Sequence, residues 1–247
     1  MSDTLRNKRA LVTGGSRGIG AAIVKRLASE GAHVTLTYSS SPYRAAAVVK
    51  AAQALGVKAV AIQADSADAG AVVTAVERTV AELGGIDILV NNAGVAMIGP
   101  LDEFKLADFD RTLAINVRAV FVATQAAARH MKAGGRIINI GSTNAERMPF
   151  AGGAVYAMSK SALQGLVKGL ARDLGPLGIT INNVQPGPVD TEMNPATGEF
   201  AETLKKLMAL PRYGTVEEIA GMVAYLASPE AGYITGASLM IDGGFSA

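Results

Sequence analysis

The stretch Thr13-Gly14-Gly15-Ser16-Arg17-Gly18-Ile19-Gly20 decides the fold of this chain. A short apolar segment, residues 9–12, precedes it, and apolar side chains recur at helical spacing over residues 21–28 after it. The pattern predicts a strand, a tight glycine turn and the start of a helix. Glycines let a ligand approach the backbone, and the free N–H groups at a helix start favour phosphate. The G-x-x-x-G-x-G spacing therefore indicates a nucleotide-binding turn.

The same letters also fit a rival motif. Residues 14–18 match G-x-S-x-G, the strand-to-helix elbow of serine hydrolases. A hydrolase needs a histidine downstream, and the chain has only His33 and His130. His33 opens a predicted strand, and His130 lies near the end of a predicted helix beside Arg129 and Lys132, so both histidines are interpreted as structural or solvated. The hydrolase remains a remote alternative.

Composition narrows the class of protein. The 247-residue chain has no cysteine, which excludes disulfides and thiolate metal sites, and we expect no metal centre. Its net charge is +2 and its longest basic run is Lys205-Lys206, so no nucleic-acid footprint is expected. No apolar run reaches the length of a membrane span, and the polar residues 1–9 show no signal peptide. We therefore expect a cytoplasmic protein with no membrane partner.

Strand and helix patterns alternate along the rest of the chain. This alternation predicts an α/β protein, a doubly wound parallel sheet with helices on both faces, built as one domain over residues 1–247. The longest irregular stretches, 142–154 and 185–211, follow strand ends, where ligands bind in such sheets. The predicted strands are 9–12, 32–38, 57–62, 86–90, 136–140, 179–184 and 238–241. The other predicted helices are 43–55, 69–83, 109–131, 155–174 and 216–227, with Asp65-Ser66 as a cap before the second of these.

Tyr156 and Lys160 are the residues whose chemistry is most distinctive. Four positions apart on one helix, they lie on the same face. An ammonium near a phenol favours the phenolate, which makes the phenol a better acid and base near neutral pH. Ser142 follows a predicted strand at the edge of the sheet where a site is expected, and Asn116 interrupts an apolar helix.

Taken together and in order, these motifs resemble the classical short-chain dehydrogenase/reductase family, with bacterial members such as 3-oxoacyl-carrier-protein reductases and cyclic-di-GMP-binding biofilm-dispersal mediators. The resemblance covers essentially the whole chain. It departs in one extra residue between Ser142 and Tyr156 and in Ala119, where many relatives have glycine. The residues that carry it are 13–20, Asn91-Asn92-Ala93-Gly94, Asn116, Ser142, Tyr156-x-x-x-Lys160, Pro186-Gly187, Ile234-Thr235-Gly236 and Asp242-Gly243-Gly244.

The resemblance implies hydride transfer between a nicotinamide and a carbonyl carbon. It implies that Tyr156 protonates the carbonyl oxygen, that Lys160 lowers the tyrosine pKa and holds the nicotinamide ribose, and that Ser142 hydrogen-bonds the substrate oxygen. Asn116 would hold a water that links Lys160 to solvent. The cofactor positions implied are Gly14, Ser16, Arg17, Gly18, Ile19, Gly20, Tyr38, Ser39, Ser40, Asp65, Ser66, Asn92, Ala93, Gly94, Tyr156, Lys160, Pro186, Gly187, Val189 and Thr191.

The end of the second strand predicts which cofactor binds. Family members that prefer NAD carry an acidic residue there, whereas this chain has Tyr38 followed by serines. Arg17 supplies a cation suited to phosphate oxygens, so NADP(H) is expected over NAD(H). The alternative that stays open is a nucleotide-binding regulatory protein, of the cyclic-di-GMP type, whose dehydrogenase chemistry is vestigial.

The resemblance also implies partners and an assembly. The substrate implied is a small ketone or alcohol. In the loop after Gln185, the apolar residues Met193, Phe200, Leu204, Leu207 and Met208 are interpreted either as an apolar lid or, because of their helical spacing, as part of the core. A homotetramer would pair the helices at 109–131 and 155–174, with Ala126, Ala127, Ala162 and Gly165 allowing close packing. The C-terminal residues 242–247 would make a second interface.

Overall fold

The computed structural model describes residues 3–247. One sheet of seven parallel strands has the order β3-β2-β1-β4-β5-β6-β7. The order reverses between β1 and β4, which is the switch point where ligands bind in doubly wound sheets. The predicted fold class is therefore confirmed. The strands are β1 (Arg9–Val12), β2 (His33–Tyr38), β3 (Ala59–Gln63), β4 (Ile88–Asn91), β5 (Arg136–Ile140), β6 (Thr180–Pro186) and β7 (Ser238–Ile241).

Helices cover both faces of the sheet. α1, α2 and α8 pack on one face, and α3, α5 and α6 pack on the other. The helices are α1 (Gly18–Ser29), α2 (Pro42–Gln53), α3 (Ala69–Leu83), α4 (Leu106–Leu113), α5 (Ala119–Ala128), α6 (Ala154–Leu174), α7 (Glu199–Lys205) and α8 (Val216–Ala227). No helix among residues 3–247 is long and apolar enough to cross a membrane.

Side-chain alternation along the strands explains why two layers of helices form. Ala10 and Val12 of β1 face the layer of α1 and α8, while Leu11 faces the opposite layer. Leu11 pairs in register with Leu89 of β4, and the same row continues through β5 into β6. Because the strands are buried on both faces, their sequences are apolar without interruption.

Several predictions made from the sequence need correction. The helix expected over 109–131 begins at Leu106 and is divided by a π-helical turn, Ala114–Arg118. The loop expected over 185–211 contains α7, and β6 extends to Pro186. The cap of α3 is Asp68, whose carboxylate accepts from the Gly70 and Ala71 N–H groups, while the Asp65 carboxylate accepts from the Ala67 N–H and lies 3.8 Å from the Arg111 guanidinium. Ala126 and Ala127 are buried inside the protomer, so they cannot line a surface between subunits.

Candidate active site

The glycine turn after β1 has the geometry that a phosphate needs. Gly14 and Gly18 adopt φ values of +64° and +51°, a region that side chains disfavour. A Cβ on Gly20 would lie 2.4 Å from the Gly14 carbonyl oxygen, so only glycine fits there. Among residues 3–247, no side chain caps the start of α1, so its first N–H groups are available to an anion. The turn therefore fits the pyrophosphate of a dinucleotide.

Thr13 and Asn92 hold this turn against the end of β4. The Thr13 hydroxyl accepts from the backbone N–H groups of Asn92 and Ala93, both at 3.0 Å. The Asn92 side chain donates to the carbonyls of Thr13 and Gly14 at 2.9 and 3.1 Å. Asn92 thus shapes the turn through its side chain.

Tyr156 and Ser142 meet at the carboxyl end of the sheet. Ser142 follows β5, and its hydroxyl accepts from the Asn144 N–H at 3.1 Å, while Tyr156 projects from the first turn of α6. Burial raises the pKa of the Tyr156 phenol, and a hydrogen bond with Ser142 partly opposes the shift. The Lys160 ammonium lies over the ring, 5.9 Å from its centroid. That Lys160 lowers the pKa of Tyr156 stays a prediction.

Lys160 is a buried ammonium with no carboxylate among its hydrogen-bond partners. Its Nζ donates to the Ile140 carbonyl at 2.8 Å, and the side chain is 5% exposed. Burial penalises the charged form and lowers the pKa of Lys160 to about 8. Gly94 packs directly beside it, because a Cβ there would lie 3.4 Å from the ammonium. The lysine is thus held at the point where β4, β5 and α6 meet.

Asn116 lies at the middle of the π-helical turn. Its amide oxygen accepts from the Val95 N–H at 2.9 Å, and its nitrogen donates to the Val95 carbonyl and to the Ser159 hydroxyl. Ser159 in turn donates to the Tyr156 carbonyl at 2.7 Å. π-Helical turns recur at functional sites. Asn116 therefore ties the segment after β4 to the helix that carries Tyr156 and Lys160, and its water-holding role stays a prediction.

The remaining predicted cofactor residues divide between the predicted cofactor groove, which is the space between the glycine turn and the loop that carries Thr191, and the framework around it. Thr191 faces the glycine turn, with its methyl group 3.6 Å from where a Gly18 Cβ would lie. Gly187 instead leaves room for Asp242, since a Cβ would lie 2.7 Å from the Asp242 Cα. Val189 is buried. Asp65, Ser39 and Ser40 are exposed, whereas Ser66, Tyr38 and Ile19 are half-buried and Pro186 is buried.

Two further residues stand beside this groove that the sequence did not single out. The Glu192 carboxylate, in the loop after β6, binds the guanidinium of Arg44 in α2 at 2.6 and 2.7 Å. Arg17 of the glycine turn lies 3.4 Å from the same carboxylate. The sequence contains one signal that could have identified Arg44, because this arginine lies one helical turn after the serines that follow β2.

Neither histidine of the chain lies at the end of the sheet where a hydrolase would need a base beside Ser16. His33 begins β2, and its Nδ1 accepts from the Lys58 N–H at 3.1 Å. His130 follows α5 and pairs with Glu77 at 2.9 Å. Both histidines lie toward the amino ends of the strands, whereas Ser16 lies at the carboxyl end of β1.

Comparison with known proteins decides the family. A family model described as enoyl-(acyl carrier protein) reductase matches residues 14–246. The short-chain dehydrogenase/reductase from Serratia marcescens BCRC 10948 superimposes with a TM-score of 0.98 at 69% identity, covering 99% of this chain and 100% of that one. This chain is a short-chain dehydrogenase/reductase. The predicted resemblance is confirmed.

Two other members of the family bear on what this dehydrogenase/reductase binds. A short-chain dehydrogenase from Burkholderia cenocepacia J2315, solved in complex with NADP, is 56% identical with a TM-score of 0.98, covering 99% of this chain and 100% of that one. The cyclic-di-GMP-binding biofilm dispersal mediator protein of Escherichia coli K12 is 52% identical over 240 residues, which is 97% of this chain and 98% of that protein.

The residues predicted to form an apolar lid differ in how far they are buried. Leu204 and Met208 are buried with Phe245, so they belong to a local core. Met193 and Phe200 are exposed. The Phe200 ring packs edge-on against Phe150, with centroids 5.5 Å apart, and so joins α7 to the loop after β5. The predicted lid residues thus divide between core and surface.

Proposed function

We propose that this protein is an NADP(H)-dependent carbonyl reductase or alcohol dehydrogenase that acts on a small ketone or secondary alcohol. The observation that carries the proposal is the meeting of Tyr156, Ser142 and Lys160 at the carboxyl end of the sheet, beside a glycine turn shaped for a dinucleotide. A nucleotide-binding protein without catalysis would not need this combination of groups.

Tyr156, Ser142 and Lys160 have separate roles in carbonyl reduction. When bound, NADPH supplies the hydride that reaches the carbonyl carbon. The raised pKa of Tyr156 keeps its phenol protonated at neutral pH, the state that can donate a proton to the carbonyl oxygen. The Ser142 hydroxyl stabilises charge that develops on that oxygen. Lys160, charged below a pH of about 8, holds the cofactor ribose and compensates the negative charge left on Tyr156.

The preference for NADP(H) rests on charge at the end of β2. Tyr38, Ser39 and Ser40 provide no carboxylate to repel a 2′-phosphate. The glycine turn, whose Gly15 N–H donates to the Thr37 carbonyl at the end of β2, supplies the cation Arg17. The B. cenocepacia relative in complex with NADP supports this assignment.

The test of catalysis is Tyr156→Phe, which removes the hydroxyl and keeps the ring. We expect kcat for ketone reduction to fall at least ~10²-fold, the lower bound for loss of a general acid. The dissociation constant for NADPH, measured by fluorescence, should stay within about twofold because the loss is confined to the proton donor. Near-wild-type turnover by the variant would refute the mechanism.

A second candidate function is favoured by the E. coli relative, whose name includes cyclic-di-GMP binding. If this chain is a binding protein of that kind, isothermal titration with cyclic di-GMP will give a saturable signal, and no ketone in a broad panel will consume NADPH. Consumption of NADPH that depends on Tyr156 would exclude a purely regulatory role.

A further inference from the structure

Two arginines from different elements converge on a single carboxylate at the rim of the cofactor groove. Arg17 lies just before α1, and Arg44 lies in the first turn of α2. Glu192 reaches them from the loop after β6, on the other side of the groove. Arg44 makes the closer contact, at 2.6 and 2.7 Å, while Arg17 stands at 3.4 Å. The three side chains are about half exposed, at 58%, 49% and 58% for Arg17, Arg44 and Glu192.

The place where they meet is the place expected for the 2′ position of the adenosine ribose. In sheets of this type the ribose hydroxyls lie beyond the end of the second strand. Arg44 follows β2 by one short loop, and Arg17 adjoins the phosphate-binding turn. Within the described part of the chain, no side chain caps the N-terminus of α2, so the helix dipole adds to the positive field of the two guanidiniums. This rim is thus built to hold an anion.

We propose that Arg44 is a second ligand of the cofactor 2′-phosphate and that Glu192 occupies the two arginines until that phosphate replaces it. The inference rests on the proposed use of NADP(H). A phosphate monoester carries up to two negative charges and three acceptor oxygens, whereas the carboxylate carries one charge and two oxygens. Both guanidiniums can bind the phosphate with charge-assisted hydrogen bonds, so the exchange favours the phosphate.

The exchange makes Glu192 a determinant of cofactor specificity. NAD(H) has no 2′ charge, so it gains nothing from Arg17 and Arg44 and leaves both paired with Glu192. The 2′-phosphate of NADP(H) binds both guanidiniums in place of the Glu192 carboxylate, so Glu192 is released. Because Glu192 directly follows Thr191, which faces the glycine turn, this release frees the beginning of the substrate loop.

The test uses adenosine 2′,5′-bisphosphate and 5′-AMP as probes, with affinities measured by isothermal titration. Both lack nicotinamide, so the result does not depend on turnover. Glu192→Gln should tighten binding of the bisphosphate roughly three- to tenfold, because a competing anion is removed. Arg44→Met should weaken it by roughly tenfold or more, the effect of losing one hydrogen bond between charged groups. 5′-AMP should bind all variants within about twofold of wild type, since it lacks the 2′ charge.

Two further variants complete the design. Glu202→Gln is the control, because Glu202 lies in the same region but pairs with Lys205 at 2.7 Å. It should leave both affinities unchanged. When Arg44→Met is already present, adding Glu192→Gln should produce little of the increase in bisphosphate affinity that it produces alone. The reason is that the Glu192 carboxylate binds chiefly to Arg44.

The outcomes separate this inference from the proposed function. If Arg17→Met weakens the bisphosphate while Arg44→Met does not, NADP(H) preference stands and the role of Arg44 is wrong. If Glu192→Gln weakens both probes, Glu192 closes over the nucleotide and does not compete with it, which also overturns the inference. Equal affinity of wild type for both probes would refute the NADP(H) preference itself, while the Tyr156→Phe test would still decide the chemistry.

Discussion

At the residue scale, burial of the Lys160 ammonium makes the stability of the protein depend on pH. Its pKa is lowered from 10.5 to about 8 by burial. Between these values the unfolded chain binds more protons than the folded one, so the free energy of unfolding rises with pH through that window. At neutral pH the buried ammonium lowers the free energy of unfolding by its full desolvation penalty. A charge buried at this cost to stability is expected where function requires it.

Lys160→Met should therefore be at least as stable as wild type at pH 7 while losing activity. Raising the pH from 7 to 10.5 should recover up to about 3 kcal/mol for wild type relative to the variant, since each pKa unit is worth about 1.4 kcal/mol. Chemical denaturation at both pH values measures this difference. Lys168→Met, an exposed lysine on the same helix, is the control. Parallel pH profiles for wild type and Lys160→Met would contradict the assignment.

At the element scale, the C-terminal segment supports the loop that carries Ser142. Asp242 accepts hydrogen bonds from the Thr143 hydroxyl at 3.0 Å and from Ser246 at 2.6 and 3.0 Å. Arg147 donates to the Phe245 carbonyl at 2.6 Å and lies over its ring. Burial raises the pKa of Asp242, but the hydrogen bonds from Ser246 and Thr143 outweigh it and the net pKa is lowered. The stabilisation is thus present above the ordinary carboxyl pKa and is lost as pH falls through the lowered value.

Asp242→Asn keeps the shape and removes the charge. We expect unfolding to become easier by about 1–3 kcal/mol, the range for hydrogen bonds to a charged group. We also expect kcat to fall while the NADPH dissociation constant changes little, because Thr143 adjoins Ser142 and not the dinucleotide turn. Denaturant titration and steady-state kinetics check both expectations. An unchanged kcat together with lower stability would show that the segment has no part in placing Ser142.

At the scale of the whole molecule, the exposed sides of α5 and α6 are suited to pairing with a second copy. Phe121 of α5 and Met158 of α6 are exposed at 42% and 44%, and Ala162 and Gly165, which share a helix face with Met158, are small and exposed. A Cβ on Gly165 would meet nothing within 4 Å in the protomer. Small residues permit close approach of two helices across an isologous interface. The tetramer implied by the family resemblance stays a prediction, and these residues are where it can be tested.

Gly165→Arg should break that assembly without unfolding the protomer. The new side chain has room within the chain but would face its own copy across a two-fold axis. Light scattering at micromolar concentration should show a tetramer for wild type and a smaller species for the variant. Ala46→Arg, on the exposed face of α2, should leave the mass unchanged. A monomeric wild type would refute the predicted assembly.

Three predictions failed because local sequence does not show the feature that decides them. Apolar residues run without a break through the π-helical turn, so the sequence predicts one continuous helix at 109–131. The seven residues of α7 are too few to show a helical period, so the sequence predicts a loop there. Alanine is small and apolar on any face of a helix, so the sequence does not show that Ala126 and Ala127 face the core of the protomer.

The sequence by itself determined the alternation of strands and helices, the glycine turn and the identity of the reacting groups. Local spacing suffices for these features, because strand and helix periods and turn glycines act over a few residues. Only the tertiary structure decided that Lys160 donates to the Ile140 carbonyl, that Asp242 supports Thr143, and that Glu192 holds Arg17 and Arg44. These contacts join residues up to 175 positions apart. They exist because parallel strands bring their carboxyl ends to one edge, where loops that are distant in sequence must share the same space.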